Sequence, residues 1–243
     1  MIPKFQALVL AAGMGKRMNS DLPKVLHPAL GRPLIHHVLD RLDALKPARV
    51  IVVVGHKEEL VRASCGPRGV HFVTQVPQLG TGHAVQVAWY EITEGPGRVL
   101  VLAGDMPLVR VETLKRLLER HDREENSVTV LTGILADPGG YGRVIRDQNG
   151  AFVKIVEEKD ATAKERAVAE VNSGIYCFDR SPLKEALDSL RADNKQKEYY
   201  LTDTLAFMRG KGLRVGIEHA THESELMGVN TVAQLAEVEA LLR

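Results

Sequence analysis

The sequence has little of what would mark a covalently stapled, membrane-bound or nucleic-acid-binding protein. Two cysteines occur in 243 residues, Cys65 and Cys177. Without a CxxC spacing they exclude a disulfide framework and a zinc ribbon and fit a reducing compartment as buried fillers. No apolar run exceeds six residues, at 7–12. A membrane helix needs ~18 and a signal-peptide core ~7 to 15. Lys4 imitates the basic start of a signal peptide, but the run behind it ends in a basic glycine loop rather than a small-residue cleavage site. The chain therefore reads as soluble, unexported and cytoplasmic. An excess of one charge is also missing. Thirty-two Lys and Arg against thirty-one Asp and Glu give +1, so no global field recruits nucleic acid or an anionic membrane, although a local basic cluster can still bind phosphates. Internal repeats, low-complexity tracts and Pro/Gly/Ser-rich linkers are absent.

Apolar residues make up 44% of the chain, and a chain of this length buries about 70 to 75% of its unfolded surface. Residues 7–10, 50–54 and 99–102 are short β-branched or leucine-rich runs that each lead into glycine, as strands buried on both faces of a parallel sheet do. Between them lie helical periods at 33–45, 82–92 and 111–118. This βαβ alternation predicts an open α/β sheet. After about residue 125 the pattern changes. Strands are expected at 127–135, 142–146, 151–156 and 172–178, with Asn149-Gly150 as a hairpin turn. Helices are expected at 182–190, 200–208 and 232–242. The prediction is one α/β domain over 1–243: a Rossmann-like, open, mixed, mainly parallel sheet flanked by helices, with a mixed-sheet insertion over a crevice.

The most informative segment runs Leu8-Val9-Leu10-Ala11-Ala12-Gly13-Met14-Gly15-Lys16-Arg17-Met18. A buried strand enters a loop of small residues whose backbone N–H groups can approach an anion, while Lys16 and Arg17 neutralise it. A dinucleotide-binding fingerprint would need glycine where Met18 stands, and a Walker A loop would need Ser or Thr where Arg17 stands. Lys24 adds a cation on the proline-stiffened turn 21–24. Asp105 follows the 99–102 run through Ala103-Gly104, which puts it at the carboxyl end of a strand, where open α/β sheets bind ligands. The plainer alternatives are a tight strand exit, a solvated basic loop and a helix-capping aspartate.

These residues together resemble the opening signature of the nucleotidyltransferases that activate sugar 1-phosphates. Further segments are similar to the bacterial N-acetylglucosamine-1-phosphate uridylyltransferases, in the same order along the chain. They are Gln78-Leu79-Gly80-Thr81-Gly82-His83-Ala84, Gly140-Tyr141-Gly142-Arg143-Val144, Ile155-Val156-Glu157-Glu158-Lys159-Asp160-Ala161, Val171-Asn172-Ser173-Gly174-Ile175-Tyr176, Glu198-Tyr199-Tyr200-Leu201-Thr202-Asp203 and Gly228-Val229-Asn230. The resemblance implies the nucleotide-diphospho-sugar transferase fold, with a nucleotide-binding part at 1–125, a sugar-binding part at 126–230 and a terminal helix at 231–243. It implies transfer of UMP from UTP to N-acetylglucosamine 1-phosphate, giving pyrophosphate and UDP-N-acetylglucosamine, a precursor for peptidoglycan and cell-wall synthesis.

Position by position, the resemblance has Leu10, Ala11, Ala12 and Gly13 wrap the uridine, with Gly15 and Gly104 beside the nucleotide and Gln75, Gly80 and Thr81 reading the uracil edge. Arg17 and Lys24 hold the triphosphate. Gly142, Glu157 and Asn172 contact the amino sugar, Tyr200 and Thr202 close on the sugar phosphate, and Asp105 and Asn230 are the Mg2+ ligands. Arg17, Lys24 and Asp105 share the catalytic task. Ala103 stands where many members carry an aromatic residue. No hexapeptide repeat of the acetyl-transferring β-helix of the best-known members occurs before Arg243, so the pyrophosphorylase domain alone is expected, without acetyl-CoA-dependent activity.

Two other readings stay open on the sequence: a transferase of the same fold with another base or sugar phosphate, and a catalytically silent sugar-nucleotide sensor. His36 and His37 point about 100° apart on a helix and form no ligand pair. His83 is expected behind the contact residues. Glu157 and Glu158, adjacent on a strand, face opposite ways and cannot flank one bond.

Overall fold

The computed structural model describes residues 3–92 and 97–243. The first half alternates strand and helix: β1 (Phe5–Leu10), a small hairpin of β2 (Pro28–Ala29) and β3 (Arg32–Pro33), α1 (Leu34–Leu45), β4 (Arg49–Val54), α2 (Glu58–Cys65), β5 (His71–Thr74), α3 (Thr81–Val87), β6 (Arg98–Ala103) and α4 (Val111–Arg123). The second half contains β7 (Val128–Ile134), β8 (Arg143–Arg146), β9 (Phe152–Val156), α5 (Ala163–Arg166), β10 (Glu170–Asp179), α6 (Arg180–Ser189), α7 (Asp203–Gly210), β11 (Val215–His219) and α8 (Val232–Leu242).

One mixed sheet joins both halves in the order β11-β7-β10-β6-β1-β4-β5, with the β8–β9 hairpin attached to β10. Around β1 the sheet is parallel, Leu10 lying between Val53 of β4 and Ala103 of β6. Strand alternation divides the core. Ala7 and Val9 face α1, α2 and α4 through Leu39, Val61 and Leu117, whereas Leu8 faces α3, α6 and α7 through Val85, Leu187 and Leu205. Each fully buried aliphatic side chain contributes about 1.5 to 3 kcal/mol, and these two layers hold the sheet between helices. The chain leaves β1 toward β4 and β5 on one side and then crosses to β6 on the other. That reversal opens a crevice beyond Leu10 and Ala103, at the carboxyl ends of β1 and β6.

Some expected elements differ in extent. The 82–92 helix stops at Val87 and passes into a single tight turn at Trp89–Glu91. The 200–208 helix begins only at Asp203. α2, β5, β11 and the β2–β3 hairpin were not expected. No helix among the described residues is long and apolar enough to cross a membrane.

Candidate active site

Beyond β1 the loop buries Ala11 and Ala12 and exposes Gly13, where an added Cβ would meet nothing within 4 Å. The Ala11 N–H donates to the Val53 carbonyl at 2.8 Å, so the loop starts as a continuation of the sheet. Gly15 adopts a left-handed φ of 60°, and a Cβ there would sit 2.8 Å from the Lys24 Cβ. The loop and the Lys24 stem are thus in direct contact, and only glycine fits between them. A short turn follows at Lys16–Met18. Met18 is buried against Ala29, Leu34, Val229 and Val238, which anchors the turn and leaves Arg17 exposed on the wall of the crevice. Among the described residues no carboxylate pairs with Arg17. The side chain of Lys16 lies outside those described.

The crevice is a cleft of about 320 Å³ lined by Leu10, Arg17, Thr81, Ala103, Asp105, Gly142, Glu157, Asn172, Thr202 and Asn230, among others. Asp105 is buried, 5% exposed. Its backbone carbonyl accepts from the Val229 N–H at 3.0 Å, which draws the far end of the chain to β6. Glu225, wholly buried, reinforces this by accepting from the backbone N–H groups of Arg110, Thr221 and His222. Asn230 donates from Nδ2 to the Gly228 carbonyl at 3.3 Å, which leaves its Oδ1 to accept from elsewhere. The Lys24 ammonium donates both to Asp105 Oδ2 and to that Oδ1, the latter at 3.1 Å. Two acceptors bonded to one ammonium lie within roughly 6 Å of each other. Residues 105 and 230 therefore converge. A carboxylate and an amide oxygen, already gathered around a positive charge, form a donor set suited to a hard divalent cation. Among the described residues no cluster of three or more His, Cys, Asp or Glu could hold a metal, so substrate oxygens and water would have to complete its shell.

The opposite wall comes from β9 and β10. A bulge between Asn172 and Tyr176 interrupts the β10–β7 ladder, with Gly174 at φ 84°. Asn172 Oδ1 accepts from the Gly174 N–H and its Nδ2 donates to the Tyr176 hydroxyl at 2.7 Å. Glu157, just past β9, accepts from the Thr202 hydroxyl at 2.9 Å. Burial, with Asp203, Asp160 and Glu198 adding to it, outweighs that hydrogen bond and raises the Glu157 pKa. Glu158 turns the other way and pairs with Arg143 and Arg166. The third wall is tied at Thr81, whose hydroxyl accepts from the Leu201 N–H, and at Tyr199, whose N–H donates to the Leu79 carbonyl and whose carbonyl accepts from the Gly82 N–H.

Ala11, Ala12, Gly13, Gly15, Lys24, Gln75, Gly80 and Gly104 are not among the residues that line this volume. Tyr200 departs from expectation. It lines an adjoining hollow that shares Glu157 with the cleft, together with Asp160, Arg191 and Asp203, its hydroxyl donating to Asp160 and accepting from Gln196. Thr202 reaches the cleft because the chain between them turns through Leu201, which is buried in the core. His36 bonds Ser64, and His37 bonds the Ala29 carbonyl, both away from the cleft. Cys65 and Cys177 are free and buried, and burial pushes the Cys65 thiol up to about 11.

A family model described as the MobA-like NTP transferase domain matches residues 7–200. The chain belongs to this family. The bifunctional protein GlmU of Alkaliphilus oremlandii (strain OhILAs) is 50% identical over 240 residues, covering 99% of this chain and 52% of that protein. The bifunctional protein GlmU of Streptococcus mutans is 46% identical over 237 residues, covering 98% of this chain and 51% of that one. The chain thus spans about half the length of the curated relatives it matches. A Bacillus anthracis crystal structure assigned as a glucose-1-phosphate thymidylyltransferase superposes with a TM-score of 0.78 at 21% identity, covering 98% of this chain and 95% of that one, which is a likeness of fold. In this NTP transferase the cleft also includes Tyr141 and Gln234, which the residue-level reading did not single out. The glycine run at 139–142 signals the first. Gln234 has no local signal: it accepts from the Asn230 N–H at 2.8 Å, one turn into α8.

Proposed function

We propose that this chain transfers UMP from UTP to N-acetylglucosamine 1-phosphate, forming UDP-N-acetylglucosamine and pyrophosphate. The observation that carries the reading is the gathering of Asp105, Lys24 and Asn230 beside a glycine loop at the switch point of the sheet. Half-identical relatives over nearly the whole chain support it. We read the chain as one nucleotidyltransferase domain over 1–243, with 1–125 for the nucleotide, 126–230 for the sugar and 231–243 as a closing helix, acting in the cytoplasm.

A phosphate oxygen of the sugar phosphate attacks the α-phosphorus of UTP, and the bond to the bridging oxygen breaks toward pyrophosphate. The nucleophile is already an anion, so no residue has to remove a proton. The chain's task is to align two mutually repelling anions in line and to neutralise charge that grows on the leaving group. Arg17, which has no side-chain partner among the described residues, and Lys24 hold the triphosphate. The backbone of 10–13, Gly15 and Gly104 approaches the nucleotide, and Gln75, Gly80 and Thr81 meet the base. Glu157 and Asn172 accept and donate to sugar hydroxyls and acetamide beside Gly142, with Thr202 orienting Glu157. Tyr200 buttresses that wall through Asp160. Asp105 and Asn230 would hold Mg2+, which supplies Lewis-acid neutralisation of phosphate oxygens when bound.

A pyrophosphate-release assay over four nucleoside triphosphates and several sugar 1-phosphates tests the reading. UTP with N-acetylglucosamine 1-phosphate should exceed CTP and glucosamine 1-phosphate, because each wrong ligand leaves buried polar groups unpaired. Equal turnover of all four triphosphates would overturn it.

A further inference from the structure

Gln75 is only 3% exposed, and its backbone N–H extends the β4–β5 pairing by donating to the Val54 carbonyl at 2.8 Å. Its side-chain nitrogen carries two hydrogens, and both are committed: one to the Gly80 carbonyl at 2.9 Å, the other to His83 Nδ1 at 3.2 Å. Among the described residues nothing donates to its oxygen. The amide therefore offers a ligand an acceptor and no donor. Gly80 can present its carbonyl there because its φ of 102° carries the chain close under Tyr199, where a Cβ would lie 2.7 Å from the Tyr199 carbonyl. His83 stands one turn into α3, half-buried, its ring 6.3 Å from that of Tyr199. Burial lowers its pKa, opposed by a hydrogen bond to the Pro77 carbonyl. The ring is thus neutral near pH 7, and Nδ1 is its bare acceptor nitrogen.

We propose that His83 sets the base specificity of this site by fixing which end of the Gln75 amide faces the nucleotide. The inference rests on the reading of Gln75 as a base contact and deepens it. Uracil presents an N–H at N3, which an acceptor satisfies. Cytosine presents a lone pair at N3, which meets the Gln75 oxygen as acceptor against acceptor. Without the His83 acceptor the amide keeps only its bond to the Gly80 carbonyl, so the half-turn rotamer that offers N–H becomes more accessible and the discrimination falls. His83 touches no substrate; it is a positioning residue for Gln75.

The test compares kcat/KM for UTP and for CTP in the parent, His83→Leu, His83→Asn and Gln75→Leu. Leucine keeps the bulk against Tyr199 but has no acceptor. Asparagine carries an acceptor oxygen close to where Nδ1 stood. The UTP-to-CTP ratio should fall about tenfold in His83→Leu, the scale of one buried hydrogen-bonding mismatch, and stay near the parent value in His83→Asn. A ratio unchanged in His83→Leu, or lost equally in His83→Asn, overturns the proposal, the second because bulk rather than an acceptor would then be what matters. If Gln75→Leu keeps the parent ratio, the reading of Gln75 as a base contact fails. If Gln75→Leu loses it while His83→Leu does not, only the lock fails.

Discussion

Glu157 carries its negative charge at a cost set by its surroundings. Burial, reinforced by Asp203, Asp160 and Glu198, holds its pKa above the ordinary carboxylate range despite the Thr202 hydrogen bond. A group with a higher pKa folded than unfolded keeps its proton more tightly when folded. Its stabilising contribution is therefore present below the ordinary glutamate value and lost as pH rises through the raised one. Glu157→Gln should thus melt at a higher temperature than the parent at pH 8, and the difference should shrink as the pH falls toward the ordinary glutamate range. Its affinity for the sugar phosphate should fall, as expected where a site trades stability for function. Thermal denaturation at several pH values checks this, and an equal or lower melting temperature at pH 8 would contradict it. At this scale Asp105 was legible because it follows an apolar run through glycine. Asn230 had no such signal, since only the Val229-to-Asp105 hydrogen bond brings it near, and only a family resemblance pointed to it. Tyr200 faces the adjoining hollow rather than the cleft, because adjacency to Thr202 does not say which side of a turn a ring takes.

Secondary elements are held to the site by a few buried polar ties. Glu225 lies in the tight turn Glu223–Leu226, between β11 and α8, and its carboxylate satisfies three backbone N–H groups from two segments. Leaving a buried donor unpaired costs about 1 to 3 kcal/mol each, so Glu225→Ala should lose roughly 3 kcal/mol or more in urea unfolding. It should also loosen the hold on residues 228–230. A loss below about 1 kcal/mol would show that the tie is not structural. The central strands and α1 were readable from apolar periodicity. β5 and β11 were not, because they are the edge strands of the sheet and carry more polar residues and fewer apolar ones. α2 opens with Glu58-Glu59 and buries only Val61 and Cys65, too narrow a stripe to stand out. α4 ran five residues past its apolar period, through the Arg120–Glu124 ion pair and the buried His121.

Across the whole molecule, a single sheet borders both sides of the cleft, which the proposed function assigns to the nucleotide on the parallel strands and to the sugar on the antiparallel extension. The chain's last forty residues complete the centre between them. The βαβ pattern and the change of pattern near residue 125 convey the passage from parallel to mixed pairing, whereas the closing of the centre by the C-terminal segment is a property of packing. On the proposed function, Asp105 and Asn230 serve one centre in unequal ways. A magnesium titration of pyrophosphate release by the parent, Asp105→Asn and Asn230→Ala tests it most directly. Asn230→Ala should need more magnesium but recover much of the parent turnover at saturation, having lost a neutral ligand. Asp105→Asn should stay about 100-fold slower at every concentration, having lost the charge on which transition-state stabilisation depends. Near-parent turnover in Asp105→Asn, or a magnesium dependence unchanged in Asn230→Ala, would contradict it.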